Sequence, residues 1–195
     1  MNVDELSNIV NQYLKSDGSW DKTCQALINT KERYEALSLE EAIKHAVNGR
    51  TLKESGNFDL DRHQYRIGRS RLDYVYNSIT QEEFDKMKQA SNFKEIYQII
   101  DAIRLDPIRG FRLGDLWSYD TALRISLNRG ASFYPKYIYL HADPKKCAKR
   151  ILKRSRLSRK VEVENFHEKI QTIKEPYLIE NFLCVWNDKL TAIEE

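Results

Sequence analysis

An all-α fold, a single multi-helix domain over residues 1–195, is predicted by three observations. Apolar residues recur at three- and four-residue spacing along most of the chain, capping residues open several of these stretches, and glycines close them. Hydrophobic residues make up 41% and charged residues 31%, enough apolar material for a core and too much for wholesale disorder.

Leu6, Ile9, Val10, Tyr13 and Leu14 mark a first amphipathic helix, and Trp20, Cys24, Leu27 and Ile28, after Gly18, mark a second. Ser38 with Glu41 forms a capping box; Leu39, Ala42, Ile43, Ala46 and Val47 form one face, and Gly49 stops the helix. Between Gly49 and Gly68 the periodicity breaks in a charged run, which predicts a long surface connection.

Helices resume at Leu72, Val75, Tyr76 and Ile79, then behind a Thr80–Glu83 cap with Phe84 and Met87. Another follows an Asn92–Glu95 cap, with Phe93, Ile96, Tyr97, Ile100 and Ile103 on its face. Leu116, Tyr119, Leu123 and Leu127 give the stripe of a helix that ends near Gly130.

Tyr137-Ile-Tyr-Leu is extended in composition, and as a lone strand it is expected to be a buried connection. Asp143 followed by Pro144 predicts an N-cap and first helical position, with Cys147, Ala148, Ile151 and Leu152 facing inward. Two more helices are expected, one around Phe166 and Ile170 and one from Pro176 through Leu178 and Phe182 to Trp186.

Several classes are excluded. No apolar run approaches the roughly 20 residues of a bilayer span, and the opening residues lack a signal peptide's basic and apolar parts, so the expected location is the cytoplasm, with no membrane partner. Cys24, Cys147 and Cys184 are odd in number and far apart, which suggests buried thiols and neither a disulfide framework nor a metal site. His141-Ala-Asp143 alone is too little to hold a metal, and no cofactor is expected.

The stretch from Ile108 to Leu127 carries two glycines with basic side chains between them in a helical region, reading as helix, tight turn and helix. A helix N-terminus entered through such a turn presents free backbone N–H groups to an anion. Ile108-Arg109-Gly110-Phe111 resembles the helix-hairpin-helix element of DNA-binding proteins and of the base-excision DNA glycosylase superfamily. Arg112 and Leu113 intervene before Gly114, so the turn is two residues longer than that pattern.

The resemblance spans about residues 93–154, with the hairpin element over about 93–129. It implies phosphate contacts at Arg109, Gly110, Arg112 and Gly114. In glycosylases the hairpin precedes a helix, an extended segment and an acidic residue, an order that nominates Asp143, with His141 beside it, as acid or base. Asp143 reads more simply as a helix cap before Pro144. Asp115, Leu116 and Trp117 stand where the lyase-type enzymes carry a lysine, which argues against Schiff-base chemistry.

Tyr119-Asp-Thr-Ala-Leu-Arg-Ile, Tyr139-Leu-His-Ala and His63-Gln64-Tyr65-Arg66 resemble words of a group of uncharacterised bacterial proteins. That resemblance implies a shared fold, brings no activity, and groups His63, Gln64, Arg66, Asp120, Arg124 and His141. Arg62, His63, Gln64, Arg66, Arg69 and Arg71, with Tyr65 and Tyr74 among them, suit phosphate and a stacked base, or equally a solvated loop. Asp120 and Arg124, four apart, have the spacing of a mutual helical ion pair.

The net charge of +3 is too small to prove an anionic partner, but seven cations crowd residues 149–160: Lys149, Arg150, Lys153, Arg154, Arg156, Arg159 and Lys160. A helix end alone requires fewer. The leading expectation is therefore a protein that binds nucleic acid, double-stranded DNA above other polyanions, through the turn and the basic segment, without reading bases.

Two alternatives stand beside it. One is a glycosylase-like enzyme with Tyr65 or Trp117 stacking on an extruded base. The other is a protein-interaction module drawing on eleven tyrosines and three tryptophans.

Overall fold

The computed structural model describes residues 3–15, 22–52, 57–61, 64–111 and 113–192. In chain order the elements are α1 (Val3–Leu14), α2 (Lys22–Glu35), α3 (Leu39–Val47), β1 (Arg50–Leu52), β2 (Phe58–Leu60), α4 (Arg69–Asn77), α5 (Gln81–Gln89), α6 (Phe93–Leu105) and α7 (Asp115–Arg129). They continue as β3 (Ile138–Tyr139), α8 (Ala142–Ile151), β4 (Lys160–Val161), α9 (Glu168–Gln171), α10 (Pro176–Val185) and α11 (Asn187–Ala192). The chain is mostly helical and forms two compact units, residues 29–134 and residues 1–28 with 135–195.

In the unit of residues 29–134 the helix starts follow local chemistry. Ser38 Oγ accepts the Glu41 N–H at 3.3 Å while the Glu41 carboxylate accepts the Ser38 N–H at 3.2 Å. Thr80 and Glu83 repeat this box at 3.2 and 2.9 Å, and Asn92 Oδ1 accepts the Glu95 N–H at 3.1 Å. Each cap contributes about 0.5–2 kcal/mol by satisfying donors that a helix start otherwise leaves open.

α7 is the central helix of this unit: every residue from Trp117 to Leu127 is buried, packed against α3 and α6. The expected single stripe is therefore too narrow. The extra buried positions include Trp117, Ala122 and Ile125 together with polar residues such as Ser118, which donates to Asp101 Oδ1 at 3.0 Å. Asn128 Nδ2 donates to the carbonyls of Tyr34 at 2.7 Å and Leu37 at 2.9 Å, fastening the α2–α3 connection to α7.

The expected surface connection after Gly49 is instead a small antiparallel ribbon, β1 on β2, with Arg50 opposite Leu60 and Thr51 opposite Asp59. Leu60 is buried, and Phe58 stacks on His45 with ring centroids 3.5 Å apart and planes within 2°. Three-residue strands are too short to show an alternation, which is why the charged run masks them.

In the other unit α1 buries Leu6, Ile9, Val10 and Tyr13. The Tyr13 ring lies 5.1 Å from Phe182 and its hydroxyl donates to the Leu178 carbonyl at 3.1 Å. Cys24 and Cys147 are buried and Cys184 is half-buried.

The extended segment at Tyr137 is no lone strand. β3 pairs antiparallel with β4, Ile138 opposite Val161 and Tyr139 opposite Lys160, and Leu140 N–H donates to the Arg159 carbonyl at 2.7 Å. α8 also begins earlier than expected: His141 occupies its N-cap position, with Asp143 and Pro144 inside the first turn. Proline fits there because an N–H in the first turn has no acceptor within the helix. α9 is one short turn, and Phe166 packs in front of it as a buried side chain. No helix of the described residues is long and apolar enough to cross a membrane.

Candidate functional site

The glycine turn joins α6 to α7. Gly110 holds a φ of +61°, a left-handed conformation that other residues resist, whereas Gly114 stands at −77° as the N-cap of α7. With no side chain to act as a cap, Gly114 leaves the first-turn N–H groups of α7 without one.

The turn's cation is not free. Arg109 Nη2 donates to both oxygens of Glu83 at 2.9 Å, its Nε faces Asp106 at 3.1 Å, and its side chain is only 15% exposed. Arg109 thus ties α5 to the turn. Arg104 likewise pairs with Asp101 at 2.8 Å and donates to the Leu113 carbonyl at 3.4 Å. Burial alone raises the Glu83 carboxyl, but the Thr80 N–H, the Arg109 hydrogen bonds and charge, and the Thr80 hydroxyl outweigh it and hold the carboxyl below its usual range. Arg112 lies outside the described residues.

A second cluster lies inside the same unit, beneath Asp61 and residues 64–67. Gln64, 1% exposed, donates from Nε2 to Asp120 Oδ2 at 2.6 Å, and Arg124 Nη2 reaches Asp61 Oδ2 at 3.3 Å. The helical spacing of Asp120 and Arg124 suggested that they pair with each other. Instead each grips a different residue, so two rungs bolt Asp61 and Gln64 to α7. Burial opposes the charge on Arg124, but Asp61 and Asp120 overcome it and raise the guanidinium above its ordinary range.

Tyr34 completes the cluster, its hydroxyl donating to the Arg50 carbonyl at 2.7 Å. Burial pushes that phenol well up; Arg124 pulls it back and Asp61 adds to the rise. Gln64 Oε1 and Arg124 Nη1 are buried with no hydrogen-bond partner among the described residues.

Gly49 makes room for Gln64. At φ +60° it already favours glycine, and a Cβ there would lie 2.8 Å from Gln64 Cγ. Outward from this clamp, Tyr65 is 57% exposed and Arg66 is exposed. His63 and Arg62 lie outside the described residues. Sequence reasoning grouped Gln64, Asp120 and Arg124 but missed Asp61, Tyr34 and the role of Gly49. The one hint was Leu60, an apolar residue set between Asp59 and Asp61.

The third region is the basic segment, in the other unit. Lys149 and Arg150 end α8, residues 153–159 form an irregular loop, and Lys160 opens β4 with its ammonium 5.1 Å from the Tyr139 ring centroid. Lys153, Arg154 and Arg156 are exposed and meet no carboxylate at ion-pair distance among the described residues. Lys153 adopts φ +51°, which turns the chain out of the helix.

The nominated acid and base stand differently. Asp143 is exposed and pairs with Lys146 at 3.0 Å, one helical turn along; His141 is 4% exposed at the N-cap. Trp117, expected as a stacking side chain, is 1% exposed and donates from Nε1 to the Val47 carbonyl at 3.3 Å, so it presents no face to a ligand. Among the described residues no three His, Cys, Asp or Glu side chains gather as metal ligands. No protein family, curated protein or solved structure matches the chain.

Proposed function

We propose that the protein binds the phosphate backbone of nucleic acid, double-stranded DNA foremost, without reading base sequence, and does so in the cytoplasm. One observation carries this reading: Lys153, Arg154 and Arg156 project from one exposed loop with no carboxylate at ion-pair distance among the described residues. Three such side chains close together repel one another in water, and a line of phosphates relieves that repulsion while releasing its own counterions.

The turn from Gly110 to Gly114, read as a lengthened helix-hairpin-helix element, adds backbone N–H donors from the first turn of α7. Arg109 serves there as an internal tie and contributes shape to the turn. The exposed ion pair of Asp143 with Lys146 favours binding without catalysis over base excision.

Fluorescence anisotropy with a blunt duplex across a salt series tests the reading. A contact with about four to six phosphates gives a log–log salt slope of about −4 to −5. Replacing Lys153, Arg154 and Arg156 together by alanine is expected to reduce that slope by about 2 to 3. Absence of duplex binding at low salt, or an unchanged slope in the triple variant, would sink the proposal.

A further inference from the structure

We propose that the turn of residues 64–67 contacts an unpaired nucleotide, the base stacking on the Tyr65 ring and the adjoining phosphate meeting Arg66. This rests on the nucleic-acid reading above and narrows its substrate to strands that carry an unstacked base.

The argument begins with an imbalance between the inside of the turn and its outside. Inside, Gln64 Nε2 donates to Asp120 at 2.6 Å, Arg124 faces Asp61 at 3.3 Å, and Gln64 N–H donates to the Asp61 carbonyl at 2.9 Å. Burying a guanidinium, a carboxylate and an amide, with a second carboxylate half-buried, is a costly way to hold a surface turn, since apolar residues of similar volume fasten a segment at least as well. What the polar rungs add is direction. Two donor–acceptor pairs fix where the turn sits and how it faces, as the supporting shell of a binding site does.

Outside, the same turn presents Tyr65, 57% exposed, and Arg66, exposed and without a carboxylate partner among the described residues. The next cation among the described residues, Arg69, is engaged by Asp59, whereas Arg66 is not. An exposed aromatic ring and an exposed guanidinium on consecutive residues of a turn held by Gln64 suit the chemistry of a nucleotide, which carries a π-face and an anion.

The choice of an unpaired base follows from geometry. Within a duplex both faces of every internal base are covered by its neighbours, so a ring standing on a protein surface finds no face to stack on. An overhang, gap or bulge supplies one. Stacking of this kind tolerates any base, consistent with binding that is independent of sequence.

The test uses the full chain and three probes: a blunt duplex, the same duplex with a short single-stranded overhang, and that overhang carrying 2-aminopurine, whose fluorescence falls when it stacks. The overhang is expected to bind about tenfold tighter than the blunt duplex, with the 2-aminopurine quenched. Tyr65→Ala should abolish both the preference and the quenching while blunt-duplex affinity stays, and Tyr65→Phe should retain both. Gln64→Ala, which frees the turn from Asp120, should lower the overhang preference with blunt-duplex affinity unchanged, a pattern that mere loss of stability does not give.

Equal binding of both probes, or a quenching that survives Tyr65→Ala, overturns the assignment of the turn and leaves backbone binding intact. Failure of every probe to bind at low salt overturns the nucleic-acid reading itself, and this inference with it.

Discussion

Gly49 and Gln64 occupy one another's space: a Cβ on Gly49 would lie 2.8 Å from Gln64 Cγ and 3.0 Å from its Cβ. The bare backbone at one position is what lets the side chain at the other reach Asp120. The Gly49 carbonyl also accepts the Asp61 N–H at 2.7 Å, so the same residue seats the start of the turn.

Gly49→Ala is accordingly expected to destabilise the protein by about 1–3 kcal/mol, since it combines a left-handed φ with a steric clash. Gly114→Ala, where a Cβ meets nothing within 4 Å and φ is −77°, serves as the comparison without a clash or a left-handed φ. Denaturant unfolding of the two variants checks the difference; equal midpoints would refute the seating role.

Arg124→Met removes the cation that compensates Asp61 and Asp120 and should cost about 3–5 kcal/mol. Adding Asp61→Leu to it should cost less than the two single changes summed, because a carboxylate no longer sits near the buried gap without its partner. A double-mutant cycle by chemical denaturation measures that coupling, and strict additivity would disprove the rung.

The helix starts at Ser38, Thr80 and Asn92 were legible because a cap is written within four consecutive residues. The two-rung clamp was not. Asp120 and Arg124 have the spacing of a helical pair, and only the burial of α7 on every side turns them toward Asp61 and Gln64 on a different segment. β4 was hidden for a related reason: Lys160 and Val161 become a strand through Tyr139 and Ile138, more than twenty residues earlier, and look like the tail of a basic run when read alone.

Glu83 ties acid stability to the glycine turn. Its carboxyl is held below the ordinary range in the fold, so the unfolded chain binds its proton more readily, and protonation favours unfolding. The stabilisation is complete above the ordinary glutamate value of about 4.3 and is lost as pH falls through the depressed folded value. Thermal melts between pH 7 and pH 3 should show Glu83→Gln with a flatter acid limb than the parent; parallel limbs would contradict the assignment.

His45 acts at milder pH. Burial chiefly, with Arg50 and Lys44 adding to it and Glu41 opposing, lowers its pKa, so the imidazole that stacks on Phe58 is the neutral form. Its contribution is fully present above the ordinary histidine value of about 6.5 and is lost as pH falls through the lowered one. His45→Phe should remove that dependence while keeping a ring against Phe58. Melts of the two proteins from pH 8 to pH 5 provide the check, and identical slopes would count against it.

The pairing of β3 with β4 has a consequence for how this protein can change over generations. The cationic loop leaves the fold at the end of α8, whose Cys147, Ala148 and Ile151 are buried, and re-enters it at β4, where the Leu140 N–H donates to the Arg159 carbonyl. A loop held at both ends by packed elements can lengthen cheaply, each doubling costing only about 0.6 kcal/mol in closure entropy. Insertions, deletions and exchanges of charge between those ends therefore leave the core untouched, and selection can change the length and charge of the loop without renegotiating the rest of the chain.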